Sequence, residues 1–211
     1  MRADAAANRQ RILTAATAVF AEQGISAEIK DIADRAGIGV GTIYRNFPGK
    51  NDLVIELIQG MMREIAGALG DAEDAAEADP VAGLRLALCG MYEIAGRYGW
   101  LLEAKITGRL PDEVRQWVPP PHQDVRFQAL VRIMERARER GLIRPDTDIP
   151  VSILMLFVTV YPLSCGPVRG DRGTAELAET VIGIVLSGIG TDAAADAASS
   201  SSIPPLARAG V

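Results

Sequence analysis

Residues 11–53 read RILTAATAVFAEQGISAEIKDIADRAGIGVGTIYRNFPGKNDL and contain three segments with apolar residues at helical spacing. The first segment ends at Gly24, the second ends at Gly37, and the third is a short run over residues 40–46. Apolar residues that recur every three or four positions predict amphipathic helices, and a glycine commonly ends such a helix. The stretch therefore predicts one bracing helix followed by two short helices that are joined through Gly37, which is a helix-turn-helix arrangement.

The third segment has the character of a recognition helix. Ile43 and Phe47 supply the apolar side chains that anchor it from behind. Small and polar residues are left on the outside, namely Gly41, Thr42, Tyr44, Arg45 and Asn46. A helix that enters the major groove is clamped from behind by apolar residues and presents such side chains at its start. We therefore expect this segment to contact DNA.

Helical periodicity continues through most of the chain, and no alternating run of β-branched residues is long enough to predict a strand. The sequence predicts an all-α fold of about nine or ten helices. A long helix is expected from Lys50 to an acidic, alanine-rich loop ending near Pro80. We expect further helices over residues 81–98, 101–107, 122–140, 151–163 and 174–189. Residues 151–163 are nearly all apolar but are fewer than the roughly 18 to 20 residues that cross a bilayer, so they predict a buried helix.

Composition and charge narrow the class of protein. An apolar content of 48% is enough for a sizeable core. The net charge is −5, but residues 1–50 hold seven Lys or Arg against five Asp or Glu, so positive charge is concentrated at the front. No hydrophobic leader precedes the first helix, which predicts a cytoplasmic protein with no membrane partner. Cys89 and Cys165 lack paired metal-site spacing, so we expect buried free thiols, no metal and no cofactor.

The N-terminal motif resembles that of the TetR family of repressors over residues 11–53, about a quarter of the chain. The shared positions, in family order and spacing, are Ile12-Leu13, Ala15-Ala16, Phe20, Gly24, Asp31-Ile32-Ala33, Ala36-Gly37, Gly41-Thr42-Ile43-Tyr44, Phe47, Lys50 and Leu53. Two positions depart from the family pattern. Glu28 stands where the family usually has Ser or Thr, and Asn46 replaces the common His or Tyr.

The resemblance implies a division of the chain into three parts. Residues 1–50 would form a three-helix helix-turn-helix DNA-binding domain, and residues 51–190 a larger helical ligand-binding and dimerisation domain. Residues 191–211, which are rich in Ala and Ser, would form a disordered tail. The implied protein is a homodimer that binds double-stranded DNA at a palindromic operator, with the helices at 122–140 and 174–189 as candidates to pair across the two-fold axis.

The resemblance also implies roles for individual residues at the DNA. Lys30, Thr42, Tyr44 and Lys50 would contact the phosphate backbone, which positions the protein without specifying sequence. Val40, Gly41 and Arg45 would face base edges, where an arginine can donate two hydrogen bonds to guanine. Asn46 completes the set of expected DNA-binding residues.

A small-molecule effector of apolar or aromatic character is implied as well. Its pocket is expected among the helices between residues 81 and 163, because bulky and polarizable side chains there suit such a guest. The candidate ligand-binding residues are Met91, Tyr92, Trp100, Trp117, Phe127, Met155, Phe157 and Tyr161. Ligand binding would change the spacing of the two DNA-binding heads and lower operator affinity.

An enzyme and a helical adaptor are the two alternative classes of protein. An enzyme is disfavoured because His122 is the only histidine and no catalytic or phosphate-binding motif accompanies it. Asp71, Glu73 and Asp74 are interpreted as a solvated loop, with a calcium site as the open alternative. A helical adaptor would dimerise without selective DNA binding. Repression and activation also stay open, because the position of the operator relative to the promoter decides between them.

Overall fold

A computed structural model describes residues 2–118, 125–165 and 170–190 of the chain. In these ranges the fold consists of nine helices without a strand: α1 (Arg2–Gln23), α2 (Ile29–Ala36), α3 (Val40–Asn46), α4 (Lys50–Ala78), α5 (Pro80–Ile106), α6 (Asp112–Arg115), α7 (Val125–Glu139), α8 (Ile149–Cys165) and α9 (Thr174–Ile189). The predicted all-α fold is confirmed. The expected tail at 191–211 and His122 lie outside the described residues.

Glycine ends the helices where the sequence predicted it. Gly24 and Gly37 have φ of +73° and +65°, a left-handed backbone that glycine adopts without steric cost. Gly37 is the C-cap of α2, and its N–H donates to the carbonyls of Ala33 and Asp34. These two glycines define the short α2 and the turn into α3.

The prediction of a loop before Pro80 is wrong. Residues 71–78 are the last turns of α4, and Asp79 alone connects α4 to α5. The Asp79 carboxylate accepts hydrogen bonds from the backbone N–H of Val81 at 2.9 Å and of Ala82 at 3.2 Å, which caps α5. Alanine and glutamate are strong helix formers, and the buried Ala72 and Ala76 pack in the interior, so the segment stays helical.

The two helices expected at 81–98 and 101–107 form a single helix, α5, that is kinked. Tyr98 has φ −113° and ψ +15°, which is outside the helical range, while the helix continues on both sides. Residues after the kink take a different direction from those before it. The kink thus marks the break that the sequence suggested.

Buried apolar residues form two clusters. The N-terminal cluster combines residues of α1, α2 and α3 with Leu53 and Leu57 of α4, Trp100 and Leu101 of α5, and Val114 of α6. The second cluster contains residues of α4, α5, α7, α8 and α9. Helices α4 and α5 contribute to both clusters and join the front of the molecule to the rest. The domain boundary at residue 50 stays a prediction.

The apolar face expected to pair through helix 122–140 is covered by the chain itself. Phe127, Leu130, Ile133 and Met134 of α7 are buried in the second cluster. Pairing through the helices at 122–140 and 174–189 stays a prediction. One apolar face of α8 is exposed in the single chain, so the prediction of a buried helix at 151–163 is wrong for that side. Its large exposed residues are Val151, Leu154, Met155 and Val158, and Ile184 of α9 is exposed too.

Candidate nucleic-acid interface and interior cavity

Helix α3 presents one face to solvent and packs the other against the N-terminal cluster. Ile43 and Phe47 are 0% and 2% exposed, whereas Val40 and Tyr44 are 37% and 51% exposed. Gly41 and Arg45 are exposed as well. The outward face therefore carries the residue types that the sequence analysis assigned to DNA, and the apolar anchor lies behind them.

Hydrogen bonds hold the polar residues of α3 to their own helix. An Arg45 guanidinium nitrogen donates to the Thr42 hydroxyl at 3.0 Å. The Asn46 side-chain amide donates to the Thr42 carbonyl at 2.8 Å and is half-buried. The Arg45 side chain lies at the surface with hydrogen-bonding capacity to spare, while the Asn46 amide nitrogen is engaged within the helix.

Arg9 holds the C-terminal end of α3 and was not singled out from the sequence. Its guanidinium lies 4.3 Å from the centroid of the Phe47 ring, a cation–π arrangement. It donates to the Asn46 carbonyl at 3.0 Å and to a Glu56 carboxylate oxygen at 3.1 Å. Arg9 therefore joins α1, α3 and α4 at one point.

Arg11 supports the turn before α3 in a similar way. It donates to the Ala36 carbonyl at 2.7 Å, at the end of α2. This bond gives a partner to one of the last carbonyls of the helix, which lack partners inside it. Arg9 and Arg11 of α1 thus fix the orientation of α2 and α3.

The predicted phosphate contacts Lys30 and Lys50 differ in their surroundings. Lys30 is exposed on α2. Lys50, the first residue of α4, is half-buried with its Nζ 5.8 Å from the centroid of the Phe20 ring. Burial lowers the pKa of the Lys50 amine, and the nearby Glu28 carboxylate partly offsets this effect. Lys50 thus lies beside the Phe20 ring at the start of α4, whereas Lys30 is surrounded by solvent.

The acidic residues at the start of α2 stabilise the N-terminus of this helix. Glu28 is the N-cap, and its backbone N–H donates to the Asp31 carboxylate at 3.1 Å. A carboxylate near a helix N-terminus interacts favourably with the helix dipole. This arrangement accounts for an acidic residue at the position where the related pattern has Ser or Thr.

An apolar cavity of about 370 Å³ lies between α4, α5 and α8. Its lining includes Met61 and Ile65 of α4, Met91, Ala95 and Tyr98 of α5, and Phe157 of α8. Lys105 is the single charged residue among the described residues of the lining. The volume falls within the roughly 300 to 1,000 Å³ that small-molecule pockets occupy.

The expected ligand-binding residues are distributed unevenly around this cavity. Met91 and Phe157 line it, and Phe127 stacks on Phe157 with ring centroids 6.4 Å apart. Tyr92 is fully buried elsewhere in the second cluster, and Trp100 packs in the N-terminal cluster. Trp117 and Met155 are 44% and 59% exposed and do not line the cavity. The side chain of Tyr161 lies outside the described part of the structure.

Other kinds of site find little support in the described ranges. No helix there is long and apolar enough to cross a bilayer. No three His, Cys, Asp or Glu side chains in those ranges are grouped to hold a metal ion. Cys89 is a buried free thiol, and burial raises its pKa to about 11. Cys165 has its side chain outside the described residues.

Sequence comparisons identify relatives of most of the chain and relatives of its N-terminal segment alone. Residues 12–57 match the family model described as bacterial regulatory proteins, tetR family. The transcriptional repressor KstR2 of Mycobacterium tuberculosis is 26% identical over 185 residues, which is 86% of this chain and 92% of that protein. The transcriptional regulator SAB2452 of Staphylococcus aureus is 47% identical over 60 residues, covering 28% of this chain and 32% of that protein.

Solved structures share the same fold. The ketosteroid transcriptional regulator KstR2 of M. tuberculosis superposes with a TM-score of 0.68 at 24% identity, covering 87% of this chain and 95% of that one. The regulator FadR of Bacillus subtilis, solved in complex with stearoyl-CoA, has a TM-score of 0.64 at 22% identity, covering 85% and 98%. These relatives are transcriptional regulators and not enzymes. The helix-turn-helix segment at residues 12–57 thus matches the tetR family of bacterial regulatory proteins, and the described chain shares its all-helical fold with solved transcriptional regulators.

Proposed function

We propose that the chain is a ligand-responsive repressor that binds a palindromic operator as a homodimer through α3. The observation that carries this proposal is the two-sided character of α3, with Ile43 and Phe47 buried and Val40, Gly41, Tyr44 exposed. Its seven residues span about 10 Å, at a rise of about 1.5 Å per residue. A helix of this kind fits the major groove, which is about 12 Å wide.

The residues of this surface divide into two roles. Val40, Gly41 and Arg45 face base edges, and Arg45 exchanges its bond to Thr42 for two hydrogen bonds to a guanine. Lys30, Thr42, Tyr44 and Lys50 contact phosphates on either side of the groove, and Asn46 lies at the edge of the same surface. The base contacts are expected to give a sequence preference at a few base pairs. The phosphate contacts are expected to give an affinity that depends on salt.

The two-fold operator requires two copies of α3. Half-sites that are read by such helices lie about 34 Å apart, one turn of the DNA. The exposed apolar residues of α8, together with Ile184 of α9, offer a self-complementary face for a second copy. We assign the dimer interface to this face.

The effector is a small apolar or aromatic molecule that occupies the cavity between α4, α5 and α8. The apolar lining supports this class of guest, and the stearoyl-CoA that is bound to FadR shows that a protein of this fold takes a lipophilic ligand. Helix α4 begins at Lys50 beside the DNA surface, and its Met61 and Ile65 line the cavity. A guest that moves α4 therefore changes the spacing of the two α3 helices and releases the operator.

Selection of bound duplexes from random DNA tests the function. A repressor is expected to enrich a two-fold symmetric sequence, and its affinity is expected to fall steeply as salt rises. Small apolar molecules that bind the protein are expected to weaken the operator complex. A protein that enriches no sequence at low ionic strength, without any ligand, contradicts the proposal.

Two substitutions test the division of roles on the selected operator. Arg45→Ala is expected to relax the preference at one base pair by about 1 to 3 kcal/mol, because a bidentate contact to guanine is lost. Lys50→Ala is expected to weaken binding to all sequences about equally and to reduce the salt dependence. Binding measured across a panel of operator variants distinguishes the two results, and parent-like binding by both mutants refutes the assignment.

A further inference from the structure

Tyr98 borders two separate spaces in the molecule. Its side chain lines the apolar cavity and also the cleft between α1, α4 and α5. The residue is 6% exposed and lies at the kink of α5, where the backbone leaves the helical range. A side chain at such a point responds to what fills the cavity on one side and to α1 on the other.

The Tyr98 hydroxyl connects α5 to α4. It donates to a Glu64 carboxylate oxygen at 3.0 Å, and Arg97 forms an ion pair with the same carboxylate. Burial raises the pKa of Tyr98 to about 12, so the phenol keeps its proton and remains a donor at neutral pH. Thr17 of α1 lines the same cleft as the Tyr98 side chain. The hydroxyl thus lies where α1, α4 and α5 meet.

The segment of α5 beyond the kink packs against the DNA-binding end of the molecule. Trp100 stacks on Phe20 of α1, with ring centroids 4.7 Å apart and a tilt of 35°. Leu101 lies in the N-terminal cluster and also lines the cavity. A displacement of this short segment therefore reaches α1 directly, by a route separate from the length of α4.

We propose that Tyr98 is the residue that couples occupancy of the cavity to the position of α1. In the empty protein its hydroxyl bond to Glu64 holds the kinked end of α5, and with it α1, in the arrangement that binds the operator. A molecule in the cavity displaces the ring, breaks this bond and frees α1 to move. This inference rests on the proposed function, since it concerns the regulation of the same effector cavity.

A pair of tyrosine substitutions separates coupling from ordinary stability. Tyr98→Phe keeps the ring but removes the bond to Glu64. Tyr92→Phe is the matched control, because Tyr92 lies on the same helix, is also buried, and has a hydroxyl 3.3 Å from that of Thr159 of α8. Without any ligand, Tyr98→Phe is expected to bind the selected operator about three- to tenfold more weakly than the parent, the range that one hydrogen bond contributes. Tyr92→Phe is expected to bind like the parent.

A cavity-filling substitution takes the place of the unidentified effector. Ala95 lines the cavity one turn before Tyr98, so Ala95→Leu adds apolar volume beside the ring. In the parent background this change is expected to lower operator affinity. In the Tyr98→Phe background it is expected to lower affinity no further, because the bond that it disrupts is already absent. Equal losses in both backgrounds, or a loss in neither, overturn the proposal.

Backbone hydrogen exchange provides a readout that needs no DNA. Tyr98→Phe is expected to speed exchange of the α1 amides around Thr17, and Tyr92→Phe to leave them unchanged. If the parent binds no operator but the exchange result holds, the function has failed and the coupling stands. If the operator is bound and α1 exchange is the same in all three proteins, the coupling has failed and the function stands.

Discussion

Gly37 shows how a single residue sets the angle between α2 and α3. Its φ of +65° lies in the left-handed region, and an added Cβ would lie 3.7 Å from an Arg11 nitrogen, so the cost of a side chain there is backbone strain and not a clash. Gly37→Ala is expected to lower the free energy of unfolding by about 1 kcal/mol. Chemical denaturation of the parent and the variant measures this change.

Gly41→Ala is the matched control for that prediction. Gly41 lies inside α3 with a helical backbone, and no atom stands within 4 Å of an added Cβ. Alanine is expected to stabilise the helix there by roughly 0.5 to 1 kcal/mol, so the two substitutions should have opposite signs. A loss of stability in both variants would show that the positive φ is not the cause. Operator binding is measured separately, because Gly41 belongs to the proposed DNA surface.

Part of the site is predictable from the sequence because its residues are neighbours along the chain. The alternation of apolar and polar residues over 40–47 predicts which side of α3 is buried, and Ile43 and Phe47 lie on that side. No local pattern in the sequence identifies Arg9 as part of the site. Its contacts to Asn46 and Glu56 cross 37 and 47 positions of the chain, so they depend on tertiary packing that no local pattern encodes.

At the scale of elements, α4 and α5 approach each other closely at Gly83. A Cβ built on Gly83 would stand 2.5 Å from the Ala76 Cβ and 2.6 Å from the Ala72 carbonyl oxygen, distances that force the helices apart. Gly83→Ala is therefore expected to lower the free energy of unfolding by about 1 to 3 kcal/mol through overpacking. Denaturant titration followed by circular dichroism measures the loss.

The same substitution at Gly67 of α4 serves as the control for packing. No atom lies within 4 Å of an added Cβ there, and the residue is exposed. Gly67→Ala is expected to raise stability by roughly 0.5 to 1 kcal/mol, because alanine is the better helix former. If Gly83→Ala proves as mild as Gly67→Ala, the close approach of α4 and α5 is wrong.

This contact also explains why residues 71–78, which were expected to form a loop, are helical. Alternating alanine and acidic residues resemble a solvated loop in composition, but the alanines at 72 and 76 are the small residues that allow α5 to approach. The partner residue, Gly83, follows only after the one-residue connection at Asp79. The composition of residues 71–78 does not reveal this contact between α4 and α5. The contact depends on how the two helices pack in the folded chain.

For the whole molecule, the sequence shows which helix faces are apolar. It does not show which of these faces are covered by the chain itself and which are covered by a second subunit. Periodicity gives α7 and α9 amphipathic stripes and gives α8 an almost uniform apolar character, so the sequence favours α7 and α9 as the interface. In the folded chain α7 packs into the second cluster, and α8 keeps exposed residues at positions 151, 154, 155 and 158. These positions follow helical spacing, which makes one continuous face.

A charge on that face tests its assignment to the dimer. Val151 and Ile184 are 50% and 68% exposed, and Val151 does not line the cavity, so Val151→Glu is tolerated by the folded subunit but places a carboxylate inside the proposed interface. We expect Val151→Glu to shift sedimentation from dimer to monomer and to weaken operator binding sharply, because each subunit then reads a single half-site. Ala66→Glu adds the same charge to an exposed position of α4 and is expected to change neither property. A Val151→Glu protein that sediments as the parent dimer would move the interface away from α8, while a monomeric parent with full operator affinity would remove the need for two copies altogether.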